Sequence, residues 1–139
     1  MSIGTLDNKA TNLISTPLTL TSSFQDIGDV IVVGDHDLAA LWVNLDINDS
    51  SAIQFRAVGS DTEAFTVSYN LPTQDITASL TSVEAQLIQL TNDLDQKIIL
   101  PFSISDAIPF IKFQVKATSV GSTAGQLLTA KVSAKTTGR

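Results

Sequence analysis

The run Gly34-Asp35-His36-Asp37 sets the sole histidine of the chain between two carboxylates. Flanking carboxylates favour a protonated imidazole, and such a group can serve as acid, base or metal ligand near neutral pH. Sequence neighbours seldom converge on one ion, however, and one histidine without any cysteine leaves the chain short of the donors of a common zinc set. The run reads as a turn or loop. Hard oxygen donors gather at Asp46, Asn48, Asp49 and Ser50, a set chemically suited to calcium. The chain then continues Ser51-Ala52-Ile53, with neither the glycine nor the glutamate that a calcium loop requires further on. A hairpin turn fits better.

Nucleophilic chemistry has less support. Serines are plentiful, but no Gly-x-Ser-x-Gly elbow is present, and a serine triad would have to recruit His36 without a supporting motif. Gly121 and Gly125 lack the lysine and following helix of a phosphate-binding loop. The expectation is a protein that is not an enzyme, with no catalytic residue, no cofactor and no metal site. Trp42 is the aromatic of most interest. It lies beside Asn44 and Asp46, opposite the aliphatic face of its own strand, where it could stack on a sugar or be covered by a second sheet or a neighbouring subunit.

The elements that would position these residues have a distinctive composition. The hydrophobic share is 43%, yet charged residues make up only 16% of the 139 positions, below the roughly 25% of a typical soluble domain. Ser, Thr, Asn and Gln must therefore supply most of the polar surface. A surface so sparsely charged resists self-association poorly, so a homo-oligomer is expected. The net charge of −6 and the scatter of the eight basic residues argue against a nucleic-acid partner. Lys131 and Lys135 share a strand face near the C-terminus, which reads as a solvated face. No run approaches the ~20 apolar residues of a membrane helix, and Met1 to Lys9 does not resemble a secretory signal, so no membrane partner is expected.

Period-two alternation dominates the chain, and it marks strands with one dry and one wet face. Residues 1–16 show no sustained period and are expected as an extended arm, with one sandwich domain over 17–139. Pro17 opens a first strand to Thr21, and Gly28 to Gly34 reads as a strand buried on both faces. Leu41, Val43, Leu45 and Ile47 line one face of the next. With Ala52 to Val58 and Ala64 to Tyr69, joined by short polar turns, they suggest a β-meander. Between Asp75 and Gln96 a strand near 83–90 is favoured over a short helix. Pro101, inside Lys97 to Ile104, points to an edge strand or bulge. In residues 109–118, Ile111, Phe113, Val115 and Ala117 alternate with Lys112, Gln114 and Lys116. Leu128, Ala130, Val132 and Ala134 alternate in the last strand. The result is an all-β, antiparallel β-sandwich of jelly-roll type with about eight or nine strands.

The segments Leu94 to Leu100, Ser105 to Ala117 and Gly121 to Gln126 together resemble small β-sandwich virion proteins of tailed bacteriophages, a likeness covering about residues 91–136. The resemblance implies a capsid decoration or auxiliary protein, or alternatively a tail or head-completion protein. Such a protein would be made in the host cytoplasm, reside in the virion, and bind virion structural subunits and its own copies. The other reading is a carbohydrate-binding or adhesive module, with a glycan as partner. Trp42, Lys112, Gln114 and Lys116 are the expected interaction residues, the last three as a mildly polar face suited to subunit contact.

Overall fold

A computed structural model describes residues 11–33, 38–47, 50–70, 87–90, 96–103, 108–119 and 124–135. Its strands are β1 (Thr11–Asn12), β2 (Leu18–Thr19), β3 (Gln25–Val32), β4 (Leu38–Asp46), β5 (Ser50–Ser60), β6 (Tyr69–Asn70), β7 (Leu87–Leu90), β8 (Gln96–Ser103), β9 (Phe110–Ser119) and β10 (Gln126–Lys135). There is no helix among the described residues.

The pairings are nested like one long hairpin rolled up. β1 and β2 pair with β10, β3 with β9, β4 with β8, and β5 with both β6 and β7, all antiparallel. Two further pairings, β10 with β4 and β9 with β5, close the roll into two sheets. Sheet B runs β1/β2-β10-β4-β8 and sheet A runs β3-β9-β5-β6/β7. This is jelly-roll order, eight strands once β1 and β2 count as one interrupted strand and β6 and β7 as two pieces along one edge.

Side-chain alternation drives the two sheets together. Leu41, Val43 and Leu45 of β4, with Leu100 and Phe102 of β8, face Phe55 of β5 and Ile111, Phe113 and Val115 of β9 in one continuous buried cluster. Phe102 and Phe113 bridge the sheets with ring centroids 5.0 Å apart. Pro101 sits on β8, the terminal strand of sheet B, the position in a sheet that tolerates a missing N–H.

The expected β-meander is not formed. β4 and β5 follow one another in sequence but belong to opposite sheets, so the hairpin expected at Asp46 to Ser50 does not pair them. Alternation tells each strand which side is dry and leaves its neighbour open. The third member of that meander shrinks to Tyr69–Asn70. Over residues 61–68 the backbone is claimed locally: the Ser60 hydroxyl donates to the Val67 carbonyl at 2.9 Å and accepts the Thr62 N–H at 3.3 Å, while the Phe65 N–H reaches the Thr62 carbonyl at 3.1 Å. Side-chain bonds of this kind compete with a ladder.

β3 is an edge strand whose burial is uneven, with Ile27, Val30 and Ile31 buried, Asp29 and Val32 half-buried and Asp26 exposed. Its unbroken apolar run arises from a bulge: Ile27 lies opposite Phe113 and Ile31 opposite Ile111, so extra residues are accommodated between them and Val30 and Ile31 are both buried. Gly28 makes the bulge, with φ +72, and the Leu13 carbonyl oxygen lies where a Cβ would stand. A smaller irregularity in β10, between Leu127 and Thr129, puts Leu127 in the core in place of the expected Leu128.

Of the stretch expected as an arm, residues 1–10 lie outside the described residues. Thr11 to Leu13 runs along β10, with the Leu13 N–H donating to the Ala130 carbonyl at 2.8 Å. Further on, the Leu20 N–H reaches the carbonyl of Gly125, just before β10 of sheet B, and the Thr21 carbonyl accepts from Ala117 in sheet A, both within 2.9 Å. The expected strand near 83–90 is described only at β7.

Candidate functional site

β9 is flanked by β3 and β5, so the outward side chains of Lys112, Gln114 and Lys116 fall among partners from both neighbours. Gln114 is in register with Asp26 on one side and Arg56 on the other. Its amide Nε2 donates to Asp26 Oδ1 at 2.8 Å, and its Oε1 accepts from Arg56 Nε at 2.8 Å. Lys112 Nζ donates to Asp26 Oδ2 at 3.0 Å. Aromatic rings complete the face: the Arg56 guanidinium lies 3.9 Å over Phe24, Lys116 4.9 Å over the same ring, and Lys112 4.8 Å over Phe65. Burial pushes the Arg56 guanidinium below its usual range, though it remains a cation. The three expected residues therefore lie on one face, where Lys112 and Gln114 bond Asp26, Gln114 also accepts from Arg56, and Lys116 lies over Phe24.

Trp42 stands apart from them. Its neighbours Leu41 and Val43 point into the core, so Trp42 points outward from sheet B, on the opposite side of the sandwich from Lys112. The second sheet lies on the far side of β4 and does not cover the ring, which is 40% exposed. Its Nε1–H donates to Ser133 Oγ on β10 at 2.9 Å, which fixes the ring. Cross-strand register brings Ile99 of β8 opposite it, 51% exposed, and Lys131 of β10 on its other side. Asn44 is likewise flanked by Lys97 and Thr129. These side chains line a shallow depression of about 450 Å³ with no carboxylate in its wall.

No known protein-family model matches this chain, and no curated protein does.

A third surface went unread because Ala64 to Tyr69 looks like a strand in sequence. The loop folds onto the outer face of sheet A: Val58, in register with Lys112 and so outward, is only 2% exposed, and Phe65 meets Lys112. Phe65 holds a left-handed backbone, with φ 55. The loop leaves Val67 and Tyr69 53% and 59% exposed, with Asp61 and Glu63 also in solvent. Ile99, Lys97 and Lys131 were equally missed as neighbours of Trp42. The nearly unbroken apolar run Ile98 to Phe102 hides which side of β8 is wet, and only strand order places Ile99 beside Trp42.

His36 lies outside the described residues, as do Asn48 and Asp49, so the expected turn role of the histidine run and the oxygen-donor cluster are not described there. Among the described residues, no group of three His, Cys, Asp or Glu side chains could hold a metal ion.

Proposed function

We propose that this protein is a non-enzymatic structural component of a tailed-bacteriophage virion, a capsid decoration or auxiliary subunit that associates with its own copies and with other virion subunits. The observation that carries this reading is the exposed apolar pair Trp42 and Ile99 on the open face of sheet B, beside the edge strand β8. Exposed apolar patches rimmed by polar residues mark interaction sites. The sparse charge of the chain and its resemblance to phage virion proteins point the same way. The test is mass spectrometry and immunogold microscopy of purified particles. Stoichiometric presence on the particle supports the role, and absence from particles sinks it.

One observation favours a second reading, a glycan-binding module. The Trp42 indole is held in place by Ser133 beside the Asn44 amide, the Thr129 hydroxyl and two lysines, the groups a sugar would meet. Glycan-array binding that Trp42→Ala abolishes would support it, and a blank array would remove it.

A further inference from the structure

All five exposed large hydrophobics among the described residues fall into two groups. Leu38, Trp42 and Ile99 lie on sheet B, and Val67 and Tyr69 lie on or beside the 61–69 loop next to sheet A. The first group is bordered by Lys97 and Lys131, both exposed, with no carboxylate lining the depression. The second is bordered by Asp61 and Glu63, both exposed, and residues 60–70 contain no Lys or Arg. Each patch thus offers what the other lacks: apolar area of similar kind and charge of opposite sign.

They cannot meet within one molecule. The loop lies on the outer side of sheet A and Trp42 on the outer side of sheet B, with the core between them. We propose that the Trp42–Ile99 face of one copy takes the 61–69 loop of a second copy. The inference rests on the self-association in the proposed function and names its surfaces. A symmetric contact of sheet B with sheet B would set Lys97 and Lys131 against their own copies, and a loop-to-loop contact would do the same to Asp61 and Glu63; like charges facing each other oppose both. The complementary contact joins two different surfaces, so it runs head to tail and generates a ring or an open stack.

Charge reversal tests this on the full chain, because all four charged residues are exposed and their replacement leaves the core intact. One variant carries Lys97→Glu and Lys131→Glu, the other Asp61→Lys and Glu63→Lys. In sedimentation velocity the wild type is expected as species larger than a dimer, each variant alone as a monomer, and an equimolar mixture as alternating assemblies of wild-type size. Circular dichroism and thermal melts verify that each variant is folded. A monomeric wild type, variants that assemble alone, or a mixture that stays monomeric would each overturn the inference. A monomer that still joins particles overturns only this contact, whereas a chain that assembles in solution but is missing from particles overturns only the virion role.

Discussion

Phe102 on β8 and Phe113 on β9 meet across the sandwich with ring centroids 5.0 Å apart and planes inclined by 56°. The strands are consecutive in sequence yet lie in opposite sheets, so this contact joins the two layers at a fully buried point. Phe113→Ala should destabilise the fold by about 3–5 kcal/mol, and a double-mutant cycle with Phe102→Ala should show a coupling of about 0.5–1.5 kcal/mol. Urea denaturation measures both.

Gly28 is the next sensitive position. Alanine there must adopt φ +72 and also displace the Leu13 carbonyl. The left-handed backbone alone costs about 1–2 kcal/mol, and the collision adds to it. Asparagine tolerates the backbone but not the collision, so Gly28→Asn should rescue little of the loss. Hydrogen exchange at Leu13, whose N–H bonds the Ala130 carbonyl, should accelerate in both variants.

On the outer face of sheet A, Gln114 is the hinge of a polar row. Gln114→Ala takes the side-chain acceptor from Arg56 Nε and one donor from Asp26. Because the face is only partly buried, the expected loss is about 1 kcal/mol. The Lys112–Asp26 pair, half in solvent, should contribute less than about 1 kcal/mol and fade with added salt. Denaturation midpoints at low and high ionic strength separate the two.

Trp42 is the sole tryptophan, so its fluorescence reports on one site. Ser133→Ala removes the acceptor of its Nε1–H and should cost about 1 kcal/mol while red-shifting emission as the ring loosens. Covering of the ring by another copy would shift wild-type emission to the blue as concentration rises, a change the Lys97→Glu, Lys131→Glu variant should lose.

Folding speed is a further consequence of the nesting. Pairing β1 and β2 with β10 joins the two ends of the described chain, and such long loops are closed before their contacts reward them. Stopped-flow refolding in the millisecond-to-second range is expected, and microsecond folding would contradict it.

Much of the architecture was legible along the chain. The dry faces Leu41-Val43-Leu45 and Ile111-Phe113-Val115, the edge placement of Pro101 and the two-layer all-β class follow from alternation and from proline's missing N–H, which are properties of the local backbone. What alternation leaves open is which strand stands next to which. That β4 and β5 part into opposite sheets, that Gly28 yields its Cβ space to Leu13, and that Trp42 finds Ile99 fifty-seven residues away were decided only when the roll closed. The same holds for the candidate site. Lys112, Gln114 and Lys116 could be placed on one wet face from sequence, but their partners Asp26, Arg56 and Phe24 come from neighbouring chain segments. Sequence determines which side of each strand is dry because side-chain direction is set residue by residue; tertiary structure decides what each wet side meets, because strand pairing is a non-local choice made by burying every dry side at once.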